Sequence, residues 1–294
     1  IQQTTDGGYI VAGWTSSFSS RGSDVYILKL NLKGELEWQK TFGGEGSDGA
    51  MSIQQTTDGG YIAAGWTESF DSEYRFKDAY ILKLNSKGQL EWQKTFGGEY
   101  DDGAFSIHQT TDGGYIIAGL TNSFGSVEAD VYILKLNSKG EVQWQKTFGG
   151  RSINGAVSIQ QTTDGGYIIA GWTKSFGAGG EDAYILKLNS KGEIEWQKTF
   201  GGGDTDVANS VQQTTDGGYI VTELTISISS ERADTYILKL NSKGKLEWQK
   251  TFDKEYDMAN SIRQTADGGY IVAGWTYSLD SDSVDVYILK LNSK

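Results

Sequence analysis

Acidic side chains return at regular places along this chain of 294 residues. Asp48, Asp102, Asn154, Asp206 and Asp257 form one set, with spacings of 54, 52, 52 and 51. Oxygen donors of this type suit a hard cation such as calcium or the hydroxyls of a sugar. The same residues just before a strand also cap a turn through an Asx-type bond, and the sequence leaves both readings open. Their surroundings do not follow the D-x-[DN]-x-[DN]-G calcium loop. A second set, Asp24, Asp78, Asp130, Asp182, Asp234 and Asp285, precedes an apolar stretch in every copy. Recurrence in all copies reads as a structural bond to loop amides. Two carboxyl groups at glycosidase separation could do acid and base work, but that needs unlike environments, and each of these acids belongs to a uniform set.

Other catalytic chemistries find little support. There is no Cys, so no disulfide, thiolate nucleophile or Cys-ligated metal. The one His, His108, stands where other copies have Gln and reads as a hydrogen-bonding replacement. No G-x-S-x-G elbow is present. The recurring "DGGY" lacks the Lys-Ser/Thr and the helix of a phosphate loop. Of Arg21, Arg75, Arg151, Arg232 and Arg263, only Arg263 falls in an expected inner strand, which disfavours the arginine cluster of a sialidase-type propeller. Net charge is −12, against nucleic-acid binding and against anionic membrane surfaces. The longest apolar run, "YIVAGW", is far short of the ~20 residues of a spanning helix.

The elements that carry these acids are repeats. The Asp of "DGG" falls at Asp6, Asp58, Asp112, Asp164, Asp216 and Asp267, spaced 52, 54, 52, 52 and 51 apart. Each unit predicts four strands, as in "SIQQT", "YIAAGWT", "AYILKLN" and "QLEWQKTF". Asp-Gly between β-type runs marks a hairpin, because tight primed turns need positive φ. Asn-Ser-Lys-Gly marks the second hairpin. The third strand is apolar on both faces, with Tyr26, Leu28 and Leu30 on one and Val25 and Ile27 on the other. In the fourth, alternation places Leu36, Trp38, Lys40 and Phe42 together, opposite a wet face. A four-stranded meander with a buried middle matches one propeller blade. The expected fold is all-β: one propeller domain over 1–294, six blades, with repeats about 1–51, 52–105, 106–157, 158–209, 210–260 and 261–294.

The last unit stops after its third strand. This predicts an unpaired edge at Tyr287 to Asn292. The chain opens mid-unit on "IQQTTDGG" without Met, which predicts excision from a longer chain whose N-terminal residues, reading roughly "GELEWQKTFGG", would close the ring.

The hairpin turns scarcely vary, while the other two connections of each unit do. Loops carry function on a rigid scaffold, so the variable face is the candidate binding face. Phe18, Phe70, Phe124 and Phe176, replaced by Ile228 and Leu279, are expected to anchor its loops. Unit two inserts Tyr74, Arg75, Phe76 and Lys77, a candidate partner contact. Unit five departs most: "AGWT" becomes "TELT", with Glu223 where the other five copies have Gly, and "FGG" becomes Phe252-Asp253-Lys254. Off-pattern polar residues are where a repeat protein would make a unique site.

The units "TTDGGYIIAGWTKSFG…EDAYILKLNSKGEIEWQKTFGG" resemble β-propeller repeats of bacterial and archaeal secreted or cell-surface proteins. The resemblance implies an extracellular or surface location and no agreed activity. "LNSKGEIEW" is similar to the tryptophan-docking motif of quinoprotein-type propellers, carried here by Asn31, Gly34 and Trp38, with a shorter turn and Lys in place of Thr. No bound quinone is implied. The expectation is a non-catalytic scaffold, without cofactor unless calcium, that binds a protein or polysaccharide through variable loops. The alternatives are a carbohydrate-active enzyme using carboxylates at the channel mouth, or an architectural module of a surface assembly.

Overall fold

The computed structural model describes residues 1–18, 21–70, 76–227, 232–252, 256–278 and 283–292. Its described residues form strands and turns without a helix, so none is long and apolar enough to cross a membrane. The chain divides into two compact units, Ile1–Phe148 and Gly149–Lys294.

The first unit holds three antiparallel meanders. They are β1 (Gln2–Gln3), β2 (Tyr9–Thr15), β3 (Asp24–Leu30) and β4 (Leu36–Phe42); β5 (Asp48–Gln55), β6 (Tyr61–Thr67), β7 (Asp78–Leu84) and β8 (Leu90–Phe96); and β9 (Asp102–Gln109), β10 (Tyr115–Thr121), β11 (Asp130–Leu136) and β12 (Val142–Phe148). The second unit holds β13 (Asn154–Gln161), β14 (Tyr167–Thr173), β15 (Asp182–Leu188) and β16 (Ile194–Phe200); β17 (Thr205–Gln213), β18 (Tyr219–Ser227), β19 (Arg232–Leu240) and β20 (Leu246–Phe252); and β21 (Tyr256–Gln264), β22 (Tyr270–Ser278) and β23 (Ser283–Leu291). The last two blades also meet at one parallel bridge, Ala233 to Tyr256.

The hairpins follow from the turn residues. In "TTDGG" the Gly7 amide bonds the Thr4 carbonyl at 2.9 Å with φ of 84°. Asp6 Oδ1 accepts from the Gly8 amide at 2.9 Å and from Thr4 Oγ1 at 2.5 Å. Gly8 is required for a different reason: a Cβ there would lie 2.2 Å from the Leu30 carbonyl oxygen. In the second hairpin Asn31 Oδ1 accepts from the amides of Lys33 and Glu35.

Lys29, Lys83, Lys187 and Lys239 of the third strands each tie three strands together, whereas Lys135 meets a single acid, Asp112, among the described residues, because Gln143 stands where those blades have Glu. Lys83 is buried and its Nζ lies 2.9 Å from both Asp58 of the first turn and Glu91 of the fourth strand. Burying that ammonium would be costly without both partners. In β23 the equivalent Lys290 meets Asp267, at 2.7 Å, and Thr265 Oγ1 but no acid of a fourth strand, and is half-exposed, because β23 has no strand on its outer edge among the described residues.

Blades pack face to face within each unit. Val25 and Ile27 of the first meet Tyr80 and Leu82 of the second, and Ile62 and Ile81 of the second meet Tyr132 and Leu134 of the third. The same face pairing joins the fourth blade to the fifth and the fifth to the sixth. Each buried Ile or Leu contributes roughly 1.5–3 kcal/mol. Trp38 caps its junction, 5.7 Å edge-on from Tyr61 and against the Gly88 turn of the next blade.

The fourth strand corrects one expectation. Trp38 and Phe42 do face the core, but Leu36 is 54% exposed. A bulge is the reason: Trp38 pairs with Lys29 and Leu36 with Leu30, so Glu37 is the extra residue. One inserted residue sends Leu36 to the opposite face.

Candidate functional site

The first acid set enters the structure as strand-entry hubs. Asp48 is fully buried. Its Oδ1 accepts from Thr67 Oγ1, and its Oδ2 from Ser69 Oγ at 2.6 Å and the Gly44 amide at 3.0 Å. Asp102 accepts from Ser123 Oγ at 2.6 Å and the Gly98 amide at 2.9 Å, and Asn154 from Thr173 Oγ1. Asp257 is buried too. These side chains therefore close turns instead of lining an exposed rim, since they are enclosed, with Asp48 engaged locally through both oxygens and Asp102 through Oδ2 while its buried Oδ1 has no hydrogen-bond partner among the described residues. Asp206 makes the matching bonds, with Thr225 Oγ1 and the Gly202 amide, and differs in sharing a cavity wall with Glu223. In the second set, Asp130 Oδ2 accepts from the Ser126 amide at 2.6 Å and Asp182 Oδ2 from the Ala178 amide at 3.0 Å, while Asp285 meets the Ser283 hydroxyl.

The expected anchors Phe18, Phe70, Phe124 and Phe176 lie 5.3–5.8 Å from Tyr26, Tyr80, Tyr132 and Tyr184. Those tyrosines in turn donate to Gln39, Gln93, Gln145 and Gln197 of the fourth strand. His108 Nδ1 lies 2.9 Å from the Gln109 carbonyl. Phe76 contacts the exposed Tyr100 at 5.7 Å, and Lys77 Nζ sits 4.5 Å over the Trp66 ring. Tyr74, Arg75, Asp253 and Lys254, with Ile228 and Leu279, lie outside the described residues.

Glu223 is where the repeat pattern and the packing diverge. At its position in the second, third and fourth blades stand Gly65, Gly119 and Gly171, where a Cβ would lie 1.8–2.0 Å from the backbone oxygen of the neighbouring first strand. In the fifth blade Glu223 pairs with Ala208 on one side and Tyr236 on the other. Pairing of β17 with β18 runs one step further, to Thr205 and Ile226, and Val207 replaces the glycine of the first strand.

A cavity of about 570 Å³ opens here between the fourth and fifth blades. Its walls include Asp182, Phe200, Asp206, Glu223, Tyr236 and Leu238, and the variable connections reach it through Ala178 and Asp204. Glu223 is 4% exposed. Burial pushes its carboxyl up to about 8, aided by the nearby charges of Asp206 and Asp182. Burial also raises Asp182, more than the Ala178 amide lowers it, and Asp206 adds to the rise. Asp206 accepts from Thr225 Oγ1 at 2.5 Å and the Gly202 amide at 2.9 Å. Tyr236 has lost the bond its counterparts make: its hydroxyl has no hydrogen-bond partner among the described residues, and the ring is half-buried where Tyr80, Tyr132 and Tyr184 are buried. No group of three or more His, Asp or Glu is placed to hold a metal ion among the described residues.

Sequence reading singled out Glu223 and Asp206 but not Asp182 or Tyr236, whose types recur in every unit. The loss of Phe from the fifth unit's loop was the one available signal at Tyr236.

No protein-family model matches the chain. A segment is 23% identical over 159 residues to the regulatory protein FlaEY of Caulobacter vibrioides, covering 46% of this chain and 17% of that protein. Among solved structures, the chain is similar to the acylaminoacyl peptidase of Pyrococcus horikoshii, with a TM-score of 0.50 and 11% identity over 98% of this chain and 43% of that one. An ACO/RPE65 chimera gives 0.50 and 13%, over 85% of this chain and 58% of that one. The Pan2 WD40 domain of Neurospora crassa gives 0.49 and 9%, over 96% and 75%. Likeness at such identities concerns fold alone. Successive antiparallel meanders and the first two of these structural likenesses define the class, a six-bladed β-propeller whose last blade has three strands.

Proposed function

We propose that this propeller is a non-catalytic scaffold, displayed outside the cell or on its surface, that binds a protein or polysaccharide partner through variable loops, with the cavity between the fourth and fifth blades as its binding centre. The observation that carries the reading is a coincidence of three features. The cavity lies where the repeat is broken by Glu223, where the Tyr–Gln bond is missing, and where two variable connections converge. Uniform blades build the frame, and the one irregular junction supplies a distinctive surface.

Replacing Ala178 by Trp fills the cavity from its loop side, while Lys33→Glu alters a distant hairpin. Arrays of glycans and of surface proteins are probed with both variants and the unaltered chain. Binding that survives K33E and is lost in A178W supports the reading; binding indifferent to A178W overturns it.

Catalysis on carbohydrate is the second reading, favoured by the unlike carboxyl groups of Glu223 and Asp182. The closeness of Glu223 and Asp206, whose charge raises the Glu223 carboxyl, weighs against that pair as the catalytic one. Paired glycosidase carboxyls stand about 5–5.5 Å or about 6.5–9.5 Å apart, to admit the sugar carbon or a water. Release of reducing sugar from a bound glycan, abolished by E223Q, would establish the enzyme instead.

A further inference from the structure

We propose that the cavity between the fourth and fifth blades receives a protonated amine or guanidinium group, the side chain of a lysine or arginine on a protein partner. The proposal rests on reading this cavity as the binding centre and names what enters it.

Charge is the first argument. Among the described residues that line the cavity, Asp182, Asp204, Asp206 and Glu223 are acidic and none is basic. No ion pair reaches Asp182, Asp206 or Glu223 among the described residues. Elsewhere a buried lysine is answered by opposite charge, Lys187 being held by Asp164 at 2.9 Å and Glu195 at 2.8 Å, and the buried Asp48 and Asp102 are held by hydroxyls and a glycine amide. The cavity has carboxyl groups from three strands, β15, β17 and β18, without a cation. Buried beside the charge of Asp206, the Glu223 carboxyl keeps its proton.

Shape and wall chemistry give the second argument. Phe200, Leu238 and the Tyr236 ring present apolar surface that would flank the alkyl stem of a long basic side chain. The Tyr236 ring lines the cavity, where an aromatic face attracts a cation, and its hydroxyl is without a partner among the described residues. A metal ion is a poor fit, because the acids are not grouped as metal ligands among the described residues. A neutral sugar would leave the excess of acid uncompensated.

Proton linkage follows from the same geometry. Asp182 from β15, Asp206 from β17, Asp204 from the connection before it and Tyr236 from β19 are the titratable groups around Glu223. A cation entering beside Asp206 favours the ionised form of Glu223. The Glu223 proton leaves to solvent, and the ligand charge replaces it.

The test uses isothermal titration of the whole chain with the peptide Gly-Gly-Lys-Gly-Gly and its acetyl-lysine counterpart, in buffers of different ionisation enthalpy. At pH 7 the lysine peptide should bind at least tenfold more tightly than the acetylated one and release up to one proton per peptide. The release should vanish as pH rises past about 8, where free Glu223 is already ionised. E223Q should abolish the proton release. E223G restores the residue of the other blades, serves as a folding control through its thermal transition, and should weaken binding of the lysine peptide.

Equal binding of both peptides, or binding without proton release, overturns the proposal. So does a neutral oligosaccharide that binds in an A178W-sensitive way while the lysine peptide does not; the cavity would then remain the binding centre and only the ligand class would fall. If no array partner is sensitive to A178W, the broader reading falls as well.

Discussion

Glu223 shares a buried cavity wall with Asp206 in the fifth blade, at a place where Gly171 of the fourth blade has no room for even a Cβ. A protein that tolerates a buried acid pair there forgoes stability at that junction. The following consequences can be measured.

Stability should fall with rising pH because of Glu223 alone. Its folded value of about 8 lies above the ordinary carboxyl value of 4.5. A raised folded value means the contribution is fully present below 4.5 and lost as pH climbs through about 8. Between those limits the unaltered chain should lose on the order of 4 kcal/mol relative to E223Q. Chemical denaturation of both from pH 4 to 9 checks this; parallel curves contradict it.

The turn aspartates give the opposite slope. Burial would raise Asp58, Asp164 and Asp216, but bonds from threonine, lysine and the glycine amide outweigh it and hold each at about 2. Their contribution is present above 3.8 and is lost as pH falls through about 2. The thermal transition should therefore drop steeply between pH 4 and 2, and less steeply in a D58N/D164N/D216N variant.

Gly65→Ala should be strongly destabilising. The added methyl would sit 1.8 Å from the Gly49 carbonyl oxygen, which is backbone and cannot swing aside. A loss of about 2 kcal/mol or more is expected from such overpacking, against the small gain an Ala usually brings on replacing Gly. Urea denaturation reads it directly.

Trp92→Ala and Leu90→Ala separate the two faces created by the bulge. Trp92 packs 6.0 Å edge-on from Tyr115 and against the Gly140 turn, whereas Leu90 is 43% exposed. W92A should cost about 2–3 kcal/mol and L90A under about 1 kcal/mol. Equal losses would mean that the two residues share a face.

Much of this architecture was legible in the residues. Asp6-Gly7-Gly8 specifies a hairpin through local bonds, and "VYILKL" is apolar on both faces because blades cover both. The bulge at Glu37 was not legible, because an alternating pattern cannot show where one residue slips out of register. Glu223 stood out as a departure from glycine, but not as a buried one. Its partners Asp182 and Asp206 lie on other strands of two blades, and only tertiary packing brings them together. Asp48, Asp102 and Asp206 carried the same signal and are all enclosed hubs; Asp206 also walls a cavity, which recurrence in sequence cannot show.

Carbon-13 NMR of chain labelled at the glutamate side-chain carboxyls, titrated from pH 4 to 10, addresses the central claim most directly. One resonance should titrate near pH 8 and be missing from the E223Q spectrum. If every glutamate titrates below pH 6, Glu223 is not the proton-holding acid of a closed junction, and the account of the cavity fails.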